Sequence, residues 1–184
     1  MFKGNIRRAA IAAASALTVG IGSAVWATSS ASAAPAASTP RCTAADLSVW
    51  INVGEANAAA GTAFYPLEFT NVSNHACHLF GYPGVSATNA NGKQLGSAAG
   101  RNPRFKPATV TIAKGGTAHA DLGWVDVGNF PASGCKPTTA TLVRVFAPGA
   151  THSDNGFAPL RSCSVKGDTY LFVTTVRPGP NGDD

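Results

Sequence analysis

Methionine is all but missing: Met1 is the single one in the chain, so a copper-handling role through thioether ligands has nothing to draw on. Charge is scarce as well. Asp, Glu, Lys and Arg supply 12% of the 184 residues, about half the usual share. Beyond the first thirty-odd residues, Arg101, Arg104 and Lys106 form the one local cationic cluster, in a Pro-broken stretch that reads as a solvated loop. Nucleic-acid binding needs cations gathered on a face or stripe, so it is not expected. No two cysteines stand at C-x2-C spacing, which removes the usual zinc arrangements. There is no G-x-S-x-G elbow, no phosphate-binding Gly loop and no dinucleotide fingerprint. Beyond the first thirty-odd residues no segment keeps a 3.6-residue apolar period, which argues against a helical fold.

What is present begins with an export pattern. Lys3, Arg7 and Arg8 make a cationic start with no acid to balance it, Ala9 to Ala27 is apolar, and small residues follow. That order is the signature of a secretory signal peptide, with a small-x-small cleavage site at Ala31-Ser32-Ala33. The rival is a retained membrane anchor, because about 19 apolar residues nearly span a bilayer. The Ala and Gly content and the cleavage site favour removal, and the lack of a cysteine there argues against a lipid anchor. The chain is thus expected to be secreted, cut near Ala33, without a stable membrane span. Removing residues 1–33 takes three cations and no acid, leaving 11 cations against nine acids. The basic pI is largely a property of the leader.

Residues 34–41 read as a flexible lead-in, 42–176 as one domain and 177–184 as a disordered tail. All four cysteines, Cys42, Cys77, Cys135 and Cys163, lie in the domain, and an even number in an oxidising compartment points to disulfides. Three connectivities are possible. Cys42 with Cys77 and Cys135 with Cys163 is the expected one, because each pair then brackets its own half of the chain. Loops of that size remove roughly 3 to 4 kcal/mol of unfolded-state entropy per bridge.

Alternation marks the strands. Leu47, Val49, Ile51 and Val53 alternate with Ser48, Trp50 and Asn52, and Tyr65, Leu67 and Phe69 share a face of Thr62 to Thr70. Pro66 costs that strand a donor and suggests an edge or bulge. Residues 55–61 read as a loop. Ala76 to Tyr82 reads as the return of a hairpin turned at Asn71 to His75, and Asn91-Gly92 marks another hairpin. Thr109 to Ala113 and Thr117 to Trp124, joined by Lys114-Gly115-Gly116, read as a third hairpin, with Ala118, Ala120, Leu122 and Trp124 on one face. Thr139 to Phe146 and Thr169 to Val176 complete the set, and Pro148 to Pro159 is a loop of turn formers. The expected fold is all-β: an immunoglobulin-like antiparallel sandwich of about 7–9 strands.

Several of these residues form a recognisable set. Thr70-Asn71, the run Cys77-x-Leu79-x-Gly81-Tyr82-Pro83-Gly84-Val85, Gly92, Gly115-Gly116 before Ala118, Leu122-x-Trp124 and the late cysteine pair resemble an actinobacterial family of secreted domains of unknown function, DUF4232. The resemblance runs from about Cys42 to Val176. It implies an exported, Cys-bridged β-sandwich and carries over no catalytic residues.

The chemistry-bearing residues do not assemble into a reaction. His75 and His78 are three apart, on opposite faces of a strand, so a two-His metal site is awkward. A hydrolytic triad could draw on His119 or His152 with Asp121, Asp126 or Asp154, but nothing selects one, and His119 with Asp121 reads as a solvated pair. No catalytic residue, metal or cofactor is expected. Trp50, Tyr65 and Tyr82 are the candidate binding residues: aromatic rings that could stack on sugars or anchor a partner. The plainer reading of Trp50 is that it caps one rim of the core. The reading that follows is a non-enzymatic binding domain of the cell envelope or extracellular space, its partner a cell-wall glycan or another extracellular protein. A secreted hydrolase is one alternative. A protease inhibitor presenting the segment from Gly149 to Cys163 is the other. Mass mapping of non-reduced peptides should recover Cys42 linked to Cys77 and Cys135 to Cys163; Cys42 linked to either late cysteine would refute the pairing.

Overall fold

A computed structural model describes residues 38–180; the signal segment 1–33, residues 34–37 of the lead-in and 181–184 of the tail lie outside the described residues. Fourteen strands are described. They are β1 (Leu47–Ile51), β2 (Asn57–Ala59), β3 (Thr62–Asn71), β4 (Cys77–Phe80), β5 (Gly84–Thr88), β6 (Gly100–Arg101), β7 (Thr109–Ile112), β8 (Thr117–Val125), β9 (Pro137–Thr139), β10 (Leu142–Phe146), β11 (Asp154–Phe157), β12 (Arg161–Cys163), β13 (Leu171–Val173) and β14 (Arg177–Pro178). One helical turn, α1 (Ala132–Cys135), precedes β9. Among the described residues no helix is long and apolar enough to cross a membrane.

The large sheet runs β1-β3-β8-β13-β6, with β2 added on β3 and β14 on β8. Its centre is the antiparallel ladder from Thr62↔Val125 to Thr70↔Thr117. On the inner face the large side chains of β3 meet the small ones of β8: Phe69 lies opposite Ala118 and Leu67 opposite Ala120, all four without exposed surface. This large-against-small matching lets the second sheet, β11-β10-β5, come down on the same face, where Val143, Val145, Val85 and Ala87 join one core. Gly156 of β11 belongs to that contact, since a Cβ there would stand 3.3 Å from Ile51 Cδ1. The disulfides are Cys42–Cys77 and Cys135–Cys163, with Cα atoms 4.9 and 4.5 Å apart.

Several connections differ from the local reading. Asn57–Ala59, placed in a loop by the sequence, pairs with β3, and residues 154–157 of the expected loop pair with β10. The run Thr139 to Phe146 divides into β9 and β10. Arg177 and Pro178, read as tail, pair with His119 and Ala118. Gly100 and Arg101 pair with β13 in parallel, so the sheet is not wholly antiparallel. Val53 is exposed because the chain leaves β1 into a 3-10 turn at Val53–Glu55.

Pro66 sits in a central strand, neither at an edge nor in a bulge, and the register explains why this is tolerated. Asp121, its partner on β8, turns its own N–H and C=O toward Thr174. The Pro66 main chain therefore faces β1, where its carbonyl accepts Asn52 N–H at 2.9 Å. The reciprocal donor is the one that proline lacks. Pairing with β1 stops at Ile51, and the Asn52 carbonyl instead accepts from Glu55.

Neither β3–β4 nor β7–β8 is a paired hairpin. β4 pairs with β7 in a small sheet of its own, so both connections cross between sheets at one corner. Asn71 holds that corner. Its Nδ2 donates to the carbonyls of His75 (2.8 Å) and Ile112 (3.0 Å), and its Oδ1 accepts from Ser73 N–H (3.0 Å) and Ser73 Oγ (2.7 Å). Its main chain is bonded both ways to Gly115 and Gly116. A buried amide with every donor and acceptor used fixes two crossings at once. Asn71→Ala, which removes all four side-chain hydrogen bonds of the corner at once, should cost on the order of 2–4 kcal/mol in urea unfolding, against about 1 kcal/mol for Ser73→Ala. Equal, small losses would show that the corner does not depend on the amide.

Candidate binding groove

The β2–β3 hairpin turns through Ala60 and Gly61, with φ of 47° and 75°. Two successive left-handed residues make a type I′ turn, and Ala60 accepts a conformation that costs an L-residue roughly 1–2 kcal/mol. The tip is held from outside. The Gly61 carbonyl accepts Asp126 N–H at 2.8 Å and Asn129 Nδ2 at 3.3 Å. The hairpin is thereby fixed to the 3-10 turn Val127–Asn129, which Asp126 caps by accepting from Gly128 N–H at 2.8 Å.

Between this hairpin and Leu160-Arg161 the inner face of the large sheet opens into a groove of about 480 Å³. The exposed segment Ala58 to Ala60 forms one wall, with the Ala58 methyl on the groove side, and Tyr65 and Trp124 line it alongside. A volume of this order suits a small organic ligand. Trp124 is fixed by a 2.6 Å bond from Nε1 to the Arg161 carbonyl and by edge-to-face packing on Tyr170, with ring centroids 6.0 Å apart. Tyr170 is anchored through its hydroxyl to the Leu95 carbonyl, and burial pushes its phenol up to about 12. Burial also raises the Tyr65 phenol, so that hydroxyl stays a donor through the neutral range.

The outer face of the same sheet carries a different constellation. Register aligns Trp50, Glu68, His119 and Arg177 side by side across β1, β3, β8 and β14. Trp50 is 48% exposed and donates Nε1–H to Glu68 Oε2 at 3.0 Å. Behind it Glu68 is 4% and His119 0% exposed. His119 Nδ1 lies 2.8 Å from the Gly179 carbonyl, which requires the proton on Nδ1 and leaves Nε2 buried without a partner among the described residues. Arg177 bonds Asp121 at 2.9 Å and lies 4.1 Å over the Phe105 ring. His119 and Asp121, expected as a solvated pair, are therefore covered and separately engaged.

The three candidate aromatics do not share a surface. Tyr65 lines the groove, whereas Trp50 lies on the opposite face of the sheet. Tyr82 lines neither; it is half-buried under the Arg101 guanidinium, 5.4 Å from the ring centroid. His78 Nδ1 is bonded to the Thr39 carbonyl, His75 stands 4.0 Å from Asp46, and His152 is exposed beside Thr151. Trp124, Arg161 and the alanine wall were missed as site residues. Trp124 reads in the sequence only as a member of the buried face, and nothing local reveals that Arg161 returns to it.

A family model, Domain of unknown function (DUF4232), matches residues 42–177. No curated protein and no solved structure matches the chain.

Burial holds the Glu68 carboxyl above the usual range, partly opposed by the bond from Trp50. The folded chain keeps that proton to higher pH than the unfolded chain does. The contribution of Glu68 to stability is then fully present below the ordinary glutamate value and is lost as pH rises through the raised one. Glu68→Gln removes this step while keeping an acceptor for Trp50. Relative to wild type, the variant should gain stability as pH rises above the ordinary glutamate range, read as urea midpoints at constant ionic strength. A pH-independent difference would refute the assignment.

Proposed function

The chain belongs to the DUF4232 family of domains of unknown function, and on that premise we propose that it is a non-enzymatic binding domain exported from the cytoplasm to act at the cell envelope or beyond it. Two disulfides with no free cysteine among the described residues support an oxidising compartment. The n-h-c leader in the sequence supports export as the route there.

The observation that carries the binding reading is the fixed groove beside Tyr65 and Trp124. Its hairpin wall is pinned at Gly61, its indole at the Arg161 carbonyl, and the small side chains of Ala58 and Ala63 leave its volume unfilled. A preformed concavity with aromatic surface loses little conformational freedom on binding. Of the residues that a hydrolytic reading would use, His119 is engaged with Gly179, Asp121 with Arg177 and Asp126 with Gly128, while His152 and Asp154 line a separate small pocket away from the groove. The partner of the groove is a component of the envelope or of the extracellular medium.

Ala58, paired with Ala63 on the same face as Tyr65 and Trp124, turns its methyl to the groove. Ala58→Trp places an indole where the groove is open, on an exposed strand position that accepts an aromatic residue. Wild type should be retained on purified cell-wall material above a control β-domain, and Ala58→Trp should lose about tenfold in retention, equivalent to about 1.4 kcal/mol. Trp50→Ala, altered on the opposite face, should bind as wild type does. Retention of Ala58→Trp equal to wild type, or none by either, would sink the groove as the binding site.

A further inference from the structure

The polar groups around the groove are not balanced. Trp124 Nε1 is committed to the Arg161 carbonyl, and Asp126 spends its Oδ1 on Gly128 N–H in capping the 3-10 turn. Two donors remain. The Tyr65 hydroxyl and the Arg161 guanidinium take no hydrogen-bond or ion-pair partner among the described residues, and both residues line the groove. Arg161 is exposed, whereas the walls between the donors are methyls and rings.

From this imbalance we infer that the groove takes a small apolar molecule bearing one carboxylate, its body against Ala58, Ala63, Tyr65 and Trp124 and its acid on Arg161. The inference rests on the groove being a binding site and adds the chemistry of what it selects. A guanidinium meets a carboxylate with two parallel N–H donors, and a neutral amide of the same shape can replace only part of that. Apolar contact sets the affinity common to acid and amide. Arg161 sets the difference between them, with Tyr65 as the second donor. Such a head occurs both at a peptide C-terminus and on an acyl chain, so both sources need a probe.

Calorimetric titration of the disulfide-intact domain would use two matched pairs: N-acetylleucine with N-acetylleucinamide, and octanoate with octanamide. At least one acid should bind about tenfold more tightly than its amide, the scale of one charge-assisted contact. The pair that shows the preference identifies the source. Arg161→Gln should bring acid and amide to within about twofold by weakening the acid alone, while Tyr65→Phe should weaken the acid by a smaller factor. Urea midpoints for each variant exclude a folding defect as the cause. Acid and amide binding alike in wild type, with both abolished by Ala58→Trp, would overturn anion selection and leave the groove standing. No binding of any probe, together with wall retention unaffected by Ala58→Trp, would overturn both.

Discussion

The structure depends on the ladder between β3 and β8. Nine consecutive pairs join them, and each carries a further strand on its outer side, β1 on β3 and then β13 and β14 on β8. Because the second sheet covers one face of this ladder and the row through Glu68, His119 and Arg177 is covered on the other, β8 is buried almost throughout. A strand with no solvent side has little freedom of register, since a slip by one residue would send Leu122 to the polar face and Asp121 into the core. The oddities of the chain are accommodated around that register. Pro66 directs its missing donor to the point where β1 leaves, and Asn71 ends the ladder by bonding everything that meets there.

The class of fold was legible in the sequence, as were the face of β8 and both disulfides, because each depends on spacing within a short stretch. Alternation in Leu47 to Ile51 and in Tyr65 to Phe69 reports directly which side is buried. The family, too, is carried by a contiguous block around Cys77 to Val85. Hairpins were the main error, and the reason is physical. Turn residues at Asn71 to His75 and at Lys114 to Gly116 announce a reversal, but a reversal within one sheet and a crossing between two use the same local chemistry. The decision belongs to the Asn71 side chain and its bond to Ile112, 41 residues away.

The site was less legible for a related reason. Tyr65 could be chosen because aromatic residues draw attention, yet a groove consists of what is absent, here side chains beyond Cβ at Ala58 and Ala63. Alanine and glycine between two strands look like filler in one dimension. Equally, Glu68 and His119 alternate with apolar residues and so look solvated until Arg177 and Gly179 return beside them. A polar row covered by its own termini differs from one open to water: burial makes its hydrogen bonds stronger and its defects costlier. The two faces of the large sheet thus have opposite characters. The outer one closes over its polar groups, and the inner one leaves donors free at an open end.

The edge of β8 is completed by pieces far along the chain. β13 covers Leu122 to Trp124, Thr174 covers Asp121, and β14 covers Ala118 and His119. A polypeptide delivered from its N-terminus can assemble β1, β3 and β8 long before those segments exist. Until residue 178 arrives, a strand that is buried almost throughout in the finished fold presents an unpaired main chain along one side, the situation in which strands pair with the wrong neighbour. The last few residues of the fold therefore act as its seal, and a fragment ending at Val173 would keep nearly all of the core while gaining an adhesive edge.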